Sequence, residues 1–247
     1  MKLKNYISLV IIILFVLSGC TSREVTKEKD VKKEVKHEIV SPPRILDFDM
    51  KERVYTKTNH IKSIDKVRFD YDKKNKLISK GKVSTVDYDN EGFLTKTIIY
   101  GKNSDTADNY TYLYDNKGIR TGTNRAGANG ELKNKFTYEY DRNGNKIKSV
   151  RYDLDNKIEK YYKYNYDSNS NLIEDNWFDK SGKLEYRIEN EYYQDGRKKD
   201  SYSYDEKGDL VFSYKYKYDD KGNIAEEDQF DEKGKPIGVI QYVYIYY

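Results

Sequence analysis

Residues 131–156 read ELKNKFTYEYDRNGNKIKSVRYDLDN. In the first ten, Leu132, Phe136, Tyr138 and Tyr140 fall on one side of a period-2 alternation, and Glu131, Lys133, Lys135 and Glu139 on the other. That is the pattern of a strand with one face sheltered and one face in water. Asp141 and Gly144 then supply turn chemistry. An aspartate bonds backbone amides further along a reversal, and glycine adopts the positive φ that closes it. A second, more polar strand follows over 145–152, and Tyr152-Asp153 opens the next turn. The stretch is two strands and two reversals in 26 residues.

The same unit recurs along the chain. Asp89, Asp115, Asp141, Asp167 and Asp219 lie on a strict 26-residue period, and position 193 is the missing member, where Tyr193 stands but Gly196 keeps the register. A second series follows each first by 12 residues, through Tyr152-Asp153, Phe178-Asp179, Tyr204-Asp205 and Phe230-Asp231. The unit is 12 plus 14 residues, repeated about six times, and even half-lengths keep every unit on the same face. The reading is an all-β fold, an antiparallel repeat sheet laid out as a meander or a gentle spiral. Stacking the units lines up Tyr112, Tyr138, Tyr164, Asn190, Tyr216 and Tyr242, beside a second row from Tyr114 to Tyr244. No segment after residue 20 carries a clear helical period.

Composition narrows the function classes. The 247 residues hold 27 Tyr, 2 His, 1 Cys and 1 Trp, with 46 basic and 42 acidic side chains. One cysteine excludes a disulfide framework, and His37 and His60 are too isolated for a histidine metal site or a catalytic triad. Charge of such mixed sign argues against nucleic acid as a partner. The turn aspartates form neither an EF-hand nor a glycine-rich calcium repeat, so no metal or other cofactor is expected. No carboxylate pair stands apart from the rest, and the chain is read as non-catalytic.

Met1–Asn5 carries Lys2 and Lys4, and an apolar run follows over 6–17. A charged start, a short apolar stretch and small residues describe a secretory signal. About 20 apolar residues are needed to span a bilayer, and this run is shorter. Leu17-Ser18-Gly19-Cys20 matches the lipobox, and the segment resembles a bacterial lipoprotein signal over 1–19. The resemblance implies that Cys20 carries acyl chains such as palmitate and becomes the mature N-terminus, so the membrane is a partner through lipid. Removal of residues 1–19 leaves 44 basic against 42 acidic side chains. Residues 20–44 then form a charged tether, too poor in apolar surface to fold. Residues 45–87 read as a divergent N-terminal start that caps the array, and 88–247 as the repeat domain.

The strings YDNEG (88–92), YDNKG (114–118), YDRNGN (140–145), YDEKG (204–208) and YDDKGN (218–223) resemble the YD-repeat family of bacterial cell-surface proteins, related to the long RHS proteins. MORN-type hairpin repeats are a weaker resemblance. The YD-repeat resemblance covers 88–247 and implies an antiparallel sheet that winds on itself outside the cytoplasm, often in carbohydrate binding or adhesion. Large relatives wind into a shell around a toxin, and this chain departs from them in having few repeats and no toxin domain.

Two readings of the tyrosine rows stay open: the core of a thin sheet, or a platform for glycan or protein. Tyr138, Tyr164, Tyr216, Tyr242 and Trp177 are the candidate ligand-binding residues. Alternation sets Trp177 opposite Phe178, toward the more polar face. The expected function is a lipid-anchored, non-catalytic binding module of the cell envelope, at the outer membrane or cell surface. The alternative is a periplasm-facing structural or toxin-immunity lipoprotein. Open sheet ends are expected to be available for pairing between molecules.

Overall fold

The computed structural model describes residues 48–72, 76–101 and 105–247, with side chains from Lys51 onward. The signal segment, Cys20 and the tether lie outside the described residues. A helix, α1 (Phe48–Thr58), precedes an unbroken series of antiparallel strands: β1 (Ile61–Tyr71), β2 (Leu77–Tyr88), β3 (Leu94–Tyr100), β4 (Thr106–Tyr114), β5 (Arg120–Gly127), β6 (Leu132–Tyr140) and β7 (Lys146–Tyr152). The series continues with β8 (Ile158–Tyr166), β9 (Leu172–Asp179), β10 (Leu184–Tyr192), β11 (Lys198–Asp205), β12 (Leu210–Tyr218), β13 (Ile224–Asp231) and β14 (Pro236–Tyr246).

The sheet does not end in free edges. β1 pairs with β14, Ile64 opposite Tyr244 and Val67 opposite Gln241, and the 14 strands close into a barrel. The expected all-β antiparallel repeat sheet is present, with consecutive strands paired, and only its open ends are corrected: the sheet closes. Strand twist accumulates in one direction, and over enough strands the two ends of a sheet meet. Among the described residues every strand is paired on both sides.

The turns form as the repeat predicts. At Asp141 the backbone amide bonds Asn145 O, Gly144 N returns to Asp141 O, and the Asp141 carboxylate accepts from the amides of Asn143 and Asn145 at 2.8 Å each. Where Tyr193 interrupts the series, the backbone turn is unchanged and Asp195 supplies the carboxylate to Arg197 N.

Each short strand opens with an extra residue. Tyr140 pairs with Lys146 but Glu139 with Lys148, which leaves Ile147 as a bulge. Thr121, Ile173, Lys199 and Ala225 hold the same place in β5, β9, β11 and β13. A bulge bends the strand and sharpens its twist. The tyrosine of each Tyr-Asp pair ties it down. Tyr140 donates to Arg120 O at 2.6 Å, Tyr166 to Lys146 O, Tyr192 to Leu172 O, Tyr218 to Lys198 O and Tyr244 to Ile224 O. That row is structural, one hook per unit.

The bulge also reverses the side-chain alternation, so Trp177 lies on the tyrosine side of the sheet. Its ring packs edge-on to Tyr162 and against Tyr186, at centroid distances of 5.6 and 5.3 Å. The expectation that it faces the polar side is overturned by that one extra residue, Ile173.

The aromatic rows face inward and the charges outward. Lys133, Lys135 and Glu139 on β6, and Lys215 and Lys217 on β12, are exposed. Many outer charges pair across strands, as in Lys148–Glu139 at 2.7 Å and Lys217–Glu226 at 2.5 Å. A barrel that crosses a membrane by its strands carries an apolar band outside, and basic side chains there cost about 2–4 kcal/mol each at the midplane. This wall carries charged side chains at mid-strand, Lys135 on β6 and Lys215 on β12 among them.

Helix α1 crosses one mouth of the barrel, touching turns spread around the rim. Lys51 donates to Ser170 O in the β8–β9 turn, Thr56 to Gly92 O in the β2–β3 turn, and Tyr55 to Asn223 Oδ1 in the β12–β13 turn. The Arg53 guanidinium lies 3.6 Å from the centre of the Phe93 ring. The sequence carried no sign of this helix, because its FDMKERVYTKT run has few apolar positions and is held by polar contacts to turns.

Candidate functional site in the barrel lumen

Fourteen strands enclose more space than the inward side chains fill. The fully buried apolar residues are few, with Ile61, Tyr88 and Val150 the main ones, while many buried positions are polar. Among the described residues, cavities of about 420 and 310 Å³ lie in the lumen, sharing Asp175 and Trp177 in their walls. Each falls within the span of small-ligand sites, about 300–1,000 Å³.

The repeat defines how the lumen is lined. Tyr112 donates to Thr97 Oγ1 at 2.7 Å, and Tyr138 with Thr123, Tyr164 with Ser149 and Tyr216 with Ser201 form the same hydroxyl rung at 2.6, 2.9 and 3.2 Å. Burial pushes all four phenols upward from their ordinary value, so they stay neutral hydrogen-bonding groups. Basic side chains lie over these rings: Lys146 Nζ at 5.0 Å from the Tyr164 ring centre, Lys198 Nζ at 5.4 Å from Tyr216, and Lys66 Nζ at 4.5 Å from Tyr242. Such cation–ring contacts strengthen when they are shielded from water.

Three carboxylates answer them. Glu52 of α1 accepts from Tyr88 OH at 2.6 Å, and burial raises its pKa while Lys146 and Lys66 oppose the rise. Asp175 on β9 is pushed up to about 6 by burial, opposed by the Trp177 indole and by Lys146 and Lys198. Lys198 on β11 is pulled down to about 8 by burial; Glu227 opposes this, Lys66 adds to it, and Asp175 opposes it. The lumen thus combines flat aromatic surface with donors and acceptors of both signs. That combination suits a ligand with polar edges and an apolar face.

Of the candidate residues, Tyr138, Tyr164 and Trp177 line the smaller cavity, and Tyr216 and Trp177 the larger. Tyr242 lies under Lys66 on the same inner face. Asp175, Tyr186, Lys198 and Glu227 join the site and were not singled out from the sequence. A signal was there: the row 97, 123, 149, 175, 201, 227 reads Thr, Thr, Ser, Asp, Ser, Glu, so Asp175 and Glu227 are its two departures.

No protein-family model matches this chain, and no curated protein matches it. Among solved structures it is similar to a porin-like protein from Bacteroides uniformis, at TM-score 0.43 and 11% identity, over 75% of this chain and 98% of that one. A porin-like protein from Bacteroides vulgatus gives TM-score 0.41 and 14% identity over the same shares, 75% and 98%. A DUF1329 family protein from Desulfovibrio piger gives TM-score 0.32 and 11% identity over 78% of this chain and 89% of that one.

Proposed function

We propose that this chain is a lipid-anchored, non-catalytic binding module of the cell envelope that takes a glycan into its barrel lumen. The observation that carries the reading is the inward turn of the aromatic rows onto two cavities edged by Asp175, Lys198 and Glu227. Pyranose rings present apolar C–H faces and hydroxyl edges, which match aromatic faces beside charged donors and acceptors. A folded protein has no access to inward-facing rings, so the glycan half of the sequence reading is favoured over the protein half. The lipobox at 17–20 and the resemblance of 88–247 to YD repeats support the anchor and the envelope address. The charged outer wall supports a barrel held beside a membrane by lipid rather than threaded through it.

The test is a titration of the full-length chain, extracted from membranes in detergent, with maltotriose, cellotriose and chitotriose. Trp177 is the only tryptophan and lies in the wall shared by both cavities, so its emission reports on the lumen. A saturable emission change with at least one trisaccharide is expected. A flat response to all three, matched by no heat of binding, overturns the glycan assignment. Recovery of a Cys20→Ser variant in the membrane fraction at the wild-type level overturns the anchor.

A further inference from the structure

The array serves as its own comparison. Six units share one scaffold, so a lumen position that departs from its equivalents departs for something other than the fold. Two units depart from the hydroxyl row, one at Glu227 and one at Asp175, and only the second also lacks its tyrosine. Where four rungs join a hydroxyl to a tyrosine 15 residues on, and a fifth sets Glu227 with Tyr242, Asp175 stands with Asn190. The row of Trp177 is variable, reading Ile99, Arg125, Arg151, Trp177, Ser203 and Gln229, and the indole is its one aromatic member. The scaffold of that unit is intact: Tyr192 still hooks Leu172 O at 2.8 Å, and the β9–β10 turn still closes on Asp179.

The substitution has two physical results. Asn190 is spent on its surroundings, donating to Leu172 O at 3.0 Å and accepting from Ser201 Oγ at 2.5 Å. It fills none of the space that a phenol ring takes in the other units, and it lines the larger cavity. The second result is chemical. Asp175 Oδ1 and Trp177 Nε1 are buried and neither makes a well-formed hydrogen bond, although the indole lies near enough to oppose the rise of the Asp175 pKa; both residues line both cavities. Leaving a buried polar atom unpaired costs about 1–3 kcal/mol, and such atoms in a native structure call for an explanation.

We propose that Asp175, Trp177 and Lys198 form a subsite that holds one neutral pyranose ring in the space left by the missing tyrosine at 190. The proposal rests on the glycan reading above and names the residues that read the sugar. A small turn of the two side chains brings the Asp175 carboxylate to a sugar hydroxyl and the Trp177 N–H to a sugar oxygen, and Lys198 Nζ donates to a neighbouring oxygen. Tyr186 and Tyr214, which line the same cavity, flank the ring. A six-membered ring takes the place of a six-membered ring, and the Asp175 carboxylate and the Trp177 N–H gain well-formed partners.

The experiment restores the array's own pattern. Asp175→Ser combined with Asn190→Tyr rebuilds the rung seen at Ser149–Tyr164, so it fills the subsite with a residue pair that the fold already accommodates. The probes are the three trisaccharides, with calorimetry on full-length chain in detergent. Binding that weakens at least tenfold, with the melting transition retained, supports the subsite. Asp175→Asn and Trp177→Phe are measured beside it and keep the test decisive where the double variant fails to fold; each is expected to weaken binding at least fivefold. A trisaccharide that binds wild type and all folded variants alike overturns the subsite while the lumen reading stands. No trisaccharide binding to wild type overturns both.

Discussion

Asp175 is a residue the barrel holds at a cost. Its carboxyl is pushed up to about 6 by burial, against 3.8 in an exposed aspartate. A carboxyl with a raised pKa binds its proton more tightly in the folded chain. Stability is therefore lost as pH rises from about 4 through about 6, and the full cost stands above that window. Two pKa units correspond to about 3 kcal/mol. Asp175→Asn removes the charge and keeps the shape, so it is expected to melt higher than wild type at pH 7.5 and alike at pH 4. Thermal melts at the two pH values check this, and a variant less stable at pH 7.5 would refute it. The combination of higher stability and weaker sugar binding is what a functional group that opposes the fold should show. Its neighbours on the hydroxyl rungs carry no such conflict, because Thr123 and Ser149 each satisfy a tyrosine and are satisfied by it.

At the scale of elements, α1 and the turns below it are one assembly. Gly92 has φ of 80°, and a Cβ there would meet Arg53 O at 2.3 Å and Lys57 N at 2.9 Å. Gly208, on the opposite rim, has φ of 86° and nothing within 4 Å. Left-handed backbone costs an alanine about 1–2 kcal/mol at either position. Only at Gly92 does the methyl group also drive into the helix backbone. Gly92→Ala is expected to speed tryptic cleavage within α1, at Lys51, Arg53 and Lys57, while Gly208→Ala leaves that rate at wild type. Equal rates for the two variants would show that α1 does not depend on its seat over the β2–β3 turn. The seat includes the buried Glu52–Tyr88 hydrogen bond, in which the first tyrosine of the array serves the helix where later ones serve bulge carbonyls.

For the whole molecule, closure through β1 is what separates inside from outside. Val67 sits in the middle of β1, opposite Gln241 on β14 and Lys82 on β2. A proline there removes a ladder donor and cannot be accommodated in a strand paired on both sides. Val67→Pro is expected to open the seam and expose the edges of β14 and β2, with a shift to larger species in size-exclusion chromatography. An unchanged elution volume with an unchanged melting curve would show that the seam tolerates the break. An opened barrel also loses its lumen, so sugar binding should fall together with closure.

The 26-residue period, the strand positions, the Asp-x-x-Gly reversals and the sheltered tyrosine face follow from the sequence alone, because turn chemistry and period-2 alternation are local. The array even displays Asn190 as the one break in a row of tyrosines, and Asp175 and Glu227 as the acidic members of a hydroxyl row. Three things were decided by tertiary structure. Closure is a sum of twist and bulges over 14 strands, and no single unit records that sum. The side on which Trp177 lies depends on one extra residue, Ile173, whose bulge is defined only by its pairing with β8. And a missing tyrosine in a flat sheet is a shallow dent. Only when the sheet closes, with the tyrosine face inside, does the gap at Asn190 become part of a cavity lined by Asp175, Trp177 and Lys198.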